Sequence, residues 1–141
     1  MASPNLDLVR SINAAWERGD YSPAEWAHPE IEFVIADGPA PGSWTGTAGI
    51  TEGWGDFLRA WEEFRQEADE YRELDGEHVF VFLHWGGRGK TSGLELGRMR
   101  TKAASLFQVR HGKVTRIVLY FDSERALAEL GLPPEAEPPQ P

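Results

Sequence analysis

The stretch Phe107–Ile117, FQVRHGKVTRI, contains the end of one strand, a tight turn and the start of another strand. Apolar and β-branched residues flank the pair His111-Gly112, a pattern typical of a β-hairpin. The pair is not of the Asn-Gly type that two-residue turns prefer. We nevertheless predict a hairpin that joins a long strand, Leu94–Arg110, to a final strand, Val114–Phe121.

Two further strands are predicted before this hairpin. The run Glu77–Trp85, EHVFVFLHW, is rich in β-branched and aromatic residues, and Gly86–Gly89 follows it as a turn. The segment Gln66–Leu74 is polar and alternating, which indicates a solvated or edge strand. Four strands therefore follow one another along the chain, and this order favours an antiparallel sheet.

The N-terminal half has the apolar spacing of helices. Asn5–Gly19 carries apolar residues about one helical turn apart, and Ala48–Phe64 has one apolar stripe. Ser22–Ala27 begins with a favoured N-cap residue and a proline, so we predict a short helix there. Ile31–Ile35 alternates in the manner of a strand.

These elements predict an α+β domain in which a cone-shaped, curved antiparallel sheet wraps around three N-terminal helices. A short C-terminal helix, Ser123–Leu130, begins after a capping Asp122 and is stopped by Gly131. We expect residues 1–132 to form a single domain and the proline-rich tail, 133–141, to be disordered. The open mouth of such a cone is a favoured place for an apolar ligand site.

Composition excludes several classes of function. The 141 residues include no cysteine, so disulfide and thiolate chemistry are excluded. The net charge of −9 argues against nucleic-acid binding, which needs a basic surface. No apolar run approaches membrane-spanning length, and we expect a soluble, cytoplasmic protein. No spacing of His, Asp or Glu resembles a metal site, so neither metal nor cofactor is predicted.

Four segments together resemble a known family. They are NAAWERGD (Asn13–Asp20), TGTAGI (Thr45–Ile50), the hairpin Phe107–Ile117, and YFDSERALAELGL (Tyr120–Leu132). Their order and spacing are similar to those of the SnoaL-like branch of the nuclear transport factor 2-like superfamily, which includes polyketide cyclases and ketosteroid isomerases. The resemblance covers about 6–132 and implies a cystatin-like α+β barrel, an apolar ligand pocket and a homodimer.

The resemblance also implies which positions carry chemistry. In ketosteroid isomerases a proton-transferring aspartate lies nine residues before the glycine that corresponds to Gly46, and Asp37 occupies that position. The two positions of the oxyanion donors hold Ile12 and Ser105. The acid/base position on the last strand of cyclases and epoxide hydrolases holds Leu119. Because strong donors are absent, steroid isomerase activity is not expected.

The catalytic candidates are Asp37 and His84, and each has an alternative interpretation. Asp37 is either a general base in an apolar pocket or the first residue of an Asx-turn that bonds the backbone N–H of Gly38 or of a later residue. His84 is either a second catalytic group or a hydrogen-bonded structural histidine. The predicted ligand-binding residues are mostly aromatic or small and polar, namely Trp16, Phe33, Trp44, Trp54, Thr101, Ser105, Phe107 and Leu119.

Alternation along Glu77–Trp85 places His84 with Phe80 and Phe82, whereas Val79, Val81, Leu83 and Trp85 share the other face. The pattern leaves open which face lines the cone. We expect the outer face to be covered by a second copy of the chain, because an alternating apolar face such as that of Val79–Trp85 would otherwise be exposed.

Two classes of function remain. The first is a cofactor-independent isomerase, cyclase or epoxide-hydrolase-like enzyme that uses Asp37 on an apolar, ring-containing compound. The second is a non-catalytic member of the same fold that binds such a compound or serves as a dimeric scaffold. Binding of an apolar small molecule is common to both.

Overall fold

A computed structural model describes residues 4–21, 25–37, 41–59, 61–89 and 101–132, without the side chains of residues 62, 87–89 and 101. The elements, in chain order, are α1 (Pro4–Glu17), β1 (Ala27–Ile35), β2 (Gly42–Thr45), α2 (Gly46–Arg59), β3 (Trp61–Glu73), β4 (His78–Gly89), β5 (Thr101–Arg110), β6 (Lys113–Tyr120) and α3 (Ser123–Leu130). In these ranges no helix is both long and apolar enough to cross a membrane.

The six strands form one curved, open sheet in the order β2-β1-β6-β5-β4-β3. Neighbouring strands are antiparallel except β1 and β6, which are parallel. The predicted α+β class with a short C-terminal helix is therefore confirmed. The parallel pair was not predicted, because β1 and β6 are far apart in sequence and are not joined by a hairpin turn that would indicate their pairing.

The sheet separates two apolar clusters. The inner cluster lies between the sheet and helices α1 and α2, and it includes the inward residues of β4, namely Val79, Val81, Leu83 and Trp85. The outer cluster includes Phe80 and Phe82 and is packed against α3 through Ala126 and Leu127. The inner cluster is the core of the cone, and α3 covers part of the sheet's outer face.

This arrangement decides the open question about β4 and corrects the argument for a dimer. The face formed by Val79–Trp85, which we expected a second copy to cover, instead packs against the chain's own helices. Phe80 and Phe82 on the opposite face are themselves buried within one chain. An exposed apolar face of β4 therefore gives no reason for dimerisation.

Local turn and cap chemistry agrees with the sequence. His111 and Gly112 both have positive φ, 53° and 75°, which is the backbone of a two-residue hairpin turn of type I′. The carboxylate of Asp122 accepts hydrogen bonds from the N–H groups of Glu124 and Arg125 at the start of α3. Gly131 ends this helix in the left-handed conformation, with φ of 68°.

Several boundaries differ from the predictions. The helix expected to continue to Phe64 ends at Arg59, because Trp61 already pairs with β4 at the edge of the sheet. Glu25 and Trp26 form a turn and Ala27 opens β1, so the described end of the predicted short helix is not helical; residues 22–24 lie outside the described part. The expected turn Gly86–Gly89 continues β4.

One further difference concerns the loop after Asp37, and two predictions fall partly or wholly outside the described residues. The Gly/Pro-rich segment after Asp37 contains a short strand, β2, which pairs with β1. Of the long strand predicted from Leu94, only Thr101–Arg110 lies within the described ranges. The tail 133–141 lies outside them.

Gly53 on α2 offers a test of how tightly the helix packs on the sheet. A Cβ at this position would lie 2.7 Å from Cδ2 of Phe33 and 2.9 Å from Cδ2 of Trp44. We expect Gly53→Ala to lower the free energy of unfolding by about 1–3 kcal/mol, since overpacking exceeds the gain in helix propensity. Urea denaturation followed by tryptophan fluorescence measures this change.

Gly55→Ala is the matched control on the same helix. The nearest atom to its Cβ would be Nη1 of Arg59 at 3.4 Å, the end of a flexible side chain. This variant should gain about 0.5–1 kcal/mol from helix propensity. Equal stabilisation by both substitutions would show that the contact between α2 and β1 is looser than described.

Candidate functional site

Trp54 lies at the centre of an aromatic interior. Its ring centroid is 4.9 Å from that of Trp16, 4.5 Å from that of Tyr21 and 5.3 Å from that of Phe33. Phe107 stacks on Trp16 at 5.6 Å. Four of the predicted ligand-binding residues, Trp16, Phe33, Trp54 and Phe107, are therefore brought together inside the cone.

Four polar atoms in this interior have no hydrogen-bond partner. They are Oδ1 of Asn13, Nε1 of Trp54, Nε2 of Gln66 and Oγ of Ser105, counted over the described residues. The relative exposure of the four residues is between 0% and 7%. An unpaired buried polar group costs about 1–3 kcal/mol, so their shared position on the inner side of the fold requires an explanation.

Two of these side chains are held in place by one bond each. The Nδ2 group of Asn13 donates to the carbonyl of Val9 at 3.1 Å, which leaves the amide oxygen unpaired. The Nε1 group of Trp85 donates to Oε1 of Gln66 at 3.1 Å, which leaves the amide nitrogen unpaired. Each amide is thus oriented by the protein, while its other end is available to a partner.

A second group of rings surrounds Phe121, just after β6. Its ring centroid lies 5.7 Å from Phe57, 5.8 Å from Trp61 and 4.8 Å from Trp85. Phe57 also touches Trp54, at 5.6 Å, so the two groups of rings are continuous. The aromatic interior therefore extends to the end of the sheet at which strands β1 and β6 terminate.

Asp37 follows β1 at this end of the sheet and is 8% exposed. Its Oδ1 accepts a hydrogen bond from the backbone N–H of Phe121 at 2.5 Å, and its Oδ2 accepts one from the N–H of Asp122 at 3.3 Å. Because β1 and β6 run parallel, the residue that follows one strand lies beside the residues that follow the other. The carboxylate thereby ties the end of β1 to the start of α3.

These contacts bear on both interpretations of Asp37. Its described partners are distant in sequence, and the Asx-turn to Gly38 involves a residue outside the described ranges. A carboxylate oxygen has two lone pairs, so one N–H at each oxygen leaves capacity to accept a proton or a further hydrogen bond. The catalytic role of Asp37 stays a prediction.

His84 lies on the other side of the sheet. It shares the outward face of β4 with Phe82, and its Nδ1 is 2.5 Å from Oδ2 of Asp69 on β3. Asp37 instead follows β1, beyond β5 and β6 in the strand order. The structure does not bring the two catalytic candidates into one site, and a catalytic role for His84 also stays a prediction.

The remaining predicted ligand-binding residues have different surroundings. Ser105 and Leu119 pair with each other across β5 and β6, and both are fully buried. Trp44 on β2 is half-buried and packs on Phe33, with ring centroids 5.8 Å apart. The side chain of Thr101 lies outside the described part of the structure.

Sequence reasoning missed three residues of the interior. Asn13 lies three residues before Trp16 and four after Val9, so helical periodicity alone places it on the buried face. Gln66 needed the register of β3, which changes at two irregularities. Tyr21 follows α1 in a short connection with no periodic signal. Burial raises the pKa of its phenol to about 12.

The described residues contain no group of three or more His, Asp or Glu side chains that could hold a metal ion. The interior instead offers apolar rings, unpaired donors at Trp54 and Gln66, an unpaired acceptor at Asn13, and a hydroxyl at Ser105. This arrangement suits a ring-containing compound with a few oxygen functions.

Comparisons with known proteins agree with the fold. A family model described as a SnoaL-like domain matches residues 9–117. TerC, co-crystallized with polyporic acid, is 26% identical with a TM-score of 0.71, and the alignment covers 91% of this chain and 98% of that chain. No match was found among curated proteins.

Two other solved structures show the fold alone. An NTF2-like protein of unknown function from Burkholderia pseudomallei K96243 is 19% identical with a TM-score of 0.73, over 90% of this chain and 97% of that chain. A hypothetical protein with a ketosteroid isomerase-like fold from Catenulispora acidiphila DSM 44928, in complex with trimethylamine, is 19% identical with a TM-score of 0.65, over 94% and 98%.

Proposed function

The chain belongs to the SnoaL-like domain family, and from that premise we propose that its aromatic interior binds a ring-containing small molecule. The observation that carries this proposal is the set of four unpaired polar atoms among apolar side chains. A ligand that offers matching groups recovers hydrogen bonds that the protein alone leaves unmade. In a core that serves stability alone, buried polar groups are normally hydrogen-bonded.

The positions of these atoms suggest the kind of ligand. Trp54 Nε1 and Gln66 Nε2 are donors, and they suit carbonyl or hydroxyl oxygens; Asn13 Oδ1 is an acceptor and suits a hydroxyl. The rings of Trp16 and Phe107 provide flat apolar walls. The co-crystallization of TerC with polyporic acid supports a small-molecule ligand.

Aromatic side chains of the described residues pack closely in the interior, and we propose that some of these rings move when a ligand binds. Tyr21 and Phe121 are the candidates, since both contact the buried rings and are only partly buried. Their displacement would open the interior without disturbing the fully buried residues of the sheet.

We further propose that Asp37 acts as a general base on the bound compound in a cofactor-independent isomerisation or cyclisation. Its buried carboxylate beside the Phe121 group of rings supports this role, because a base must lie where an apolar substrate is held. The alternative is a binding or scaffold protein in which Asp37 only ties β1 to α3. The apolar residues Ile12 and Leu119 at two family positions favour that alternative.

Ser105→Ala tests the binding proposal with two opposed readouts. Removing an unpaired buried hydroxyl should leave the ligand-free protein equally stable or raise its free energy of unfolding by about 1 kcal/mol. The same change should weaken binding of a hydroxylated ring compound about 3–10-fold, because one hydrogen bond is lost. Calorimetric titration with polyporic acid and with naphthol measures the affinity, and urea denaturation measures the stability.

Ser123→Ala is the control, because Ser123 is also buried but lies on α3 outside the inner cluster. It should not change the affinity for either probe. If neither compound binds the wild-type protein, or if both serine variants bind them equally, the interior is not the ligand site.

Asp37→Asn separates the two roles of the carboxylate. Loss of the charge and of one acceptor should cost about 1–3 kcal/mol of stability in either case. If Asp37 is a base, the variant still binds the compound but no longer converts it, which chromatography of the recovered ligand detects. Asp56→Asn is the control, since its ion pair with Arg59 is exposed and contributes little. Conversion that persists in Asp37→Asn would exclude the base.

A homodimer stays a proposal that depends on family resemblance. We expect sedimentation equilibrium at micromolar concentration to give twice the monomer mass of 15.8 kDa. A species of monomer mass over the whole concentration range would contradict it.

A further inference from the structure

A cavity of about 400 Å³ lies against β3 and β4, and it contains His84 and Asp69 rather than Asp37. The outward residues Arg65 and Glu67 on β3 pair with Gly86 and His84 on β4. The complete lining among the described residues is Arg65, Gln66, Glu67, Asp69, His84, Trp85 and Gly86. Most of these side chains are polar, which sets the cavity apart from the aromatic interior.

A β-bulge places Asp69 in this cavity. Ala68 pairs with Leu83 and Glu70 pairs with Phe82, so Asp69 is the extra residue on β3. Bulges redirect a side chain from the alternation of its strand, and they occur often next to functional sites. Here the redirected carboxylate reaches Nδ1 of His84, with a separation of 2.5 Å.

The contact with Asp69 orients the imidazole of His84. The carboxylate of Asp69 lies against the Nδ1 side of the ring, so Nε2 on the opposite side is left for another partner. The side chains of both residues are 27% exposed, which keeps them accessible from the cavity. Within the part of the chain that the structure describes, Nε2 has no hydrogen-bond partner.

Arg65 supplies the positive charge of the cavity. Its guanidinium lies across Gly86, where a Cβ would be 3.1 Å from Cζ and from Nε of the arginine. The absence of a side chain at Gly86 therefore allows the guanidinium to lie flat on β4. Among the described residues it has no ion-pair partner, so its paired donors are available.

We propose that this cavity binds a small monocarboxylic acid that carries a hydroxyl group next to the carboxylate. The guanidinium of Arg65 donates two parallel hydrogen bonds to the carboxylate, the geometry that arginine prefers. The hydroxyl group donates to Nε2 of His84, whose orientation Asp69 maintains. Glu67 and Asp69 add negative charge to the lining, so a dianion such as phosphate is repelled more strongly than a monoanion.

The inference is independent of the proposed function, because the cavity shares no side chain with the set of unpaired atoms except Gln66. That residue turns its amide toward Trp85 in the interior. Ser105→Ala should therefore leave binding at the outer cavity unchanged, and failure of one proposal does not imply failure of the other.

Glycolate is the probe, and the four histidines of the chain are the reporters. Titration of ¹⁵N-histidine-labelled protein should shift the imidazole resonances of His84 in a saturable manner, with His84→Gln used to assign them. Arg65→Gln should weaken glycolate binding at least tenfold. Gly86→Ala, which displaces a flexible guanidinium rather than backbone, should weaken it without loss of folding.

Arg116→Gln is the matched control, since Arg116 is a half-exposed arginine on another strand of the sheet and is paired with Glu32. It should bind glycolate as the wild type does. Absence of saturable shifts, or equal weakening by Arg65→Gln and Arg116→Gln, overturns the site. Inorganic phosphate that binds more tightly than glycolate at the same pH overturns the preference for a monocarboxylate.

Discussion

Strand β1 lies parallel to β6, although four strands and a helix separate them along the chain. The backbone N–H of Ala36 donates to the carbonyl of Leu119 at 2.9 Å and extends this pairing beyond the end of β1. The next residue, Asp37, then bonds the two N–H groups that follow β6. This junction holds the end of β1 beside the end of β6, and it fixes the position of the candidate base next to the start of α3.

The two faces of β4 show how one strand serves two different environments. Its inward residues complete the aromatic interior, and Trp85 orients Gln66 there. Its outward residues meet α3 at one end of the strand and the polar cavity at the other, where His84 meets Asp69. A one-residue change in the register of β4 would exchange its inward and outward faces. The bulge at Asp69 changes the pairing of β3 only locally. The register of β4 with β5 stays continuous, so each residue of β4 keeps its face.

Much of the local structure was predictable, because short-range chemistry decides it. The hairpin at His111-Gly112 and the cap at Asp122 follow from turn and helix-end preferences, and both were found. The end of α2 was not predictable in the same way. Trp61 and Phe64 continue the apolar spacing of the helix, yet they belong to an edge strand because pairing with β4 outweighs helical propensity. Trp54 and Ser105 were predicted as ligand-binding residues, but only the tertiary structure showed that they, Asn13 and Gln66 hold unpaired polar atoms.

The sequence by itself determined the class of the fold, the helix caps, the hairpin and the candidate carboxylate, because each depends on neighbours within a few residues or on the spacing of family segments. Only the tertiary structure decided which face of β4 is internal, that Asp37 bonds the chain beyond β6, and that His84 belongs to a different cavity. Strand order and register arise from contacts between residues far apart in the chain, and a local sequence pattern does not identify which distant segment a strand will pair with.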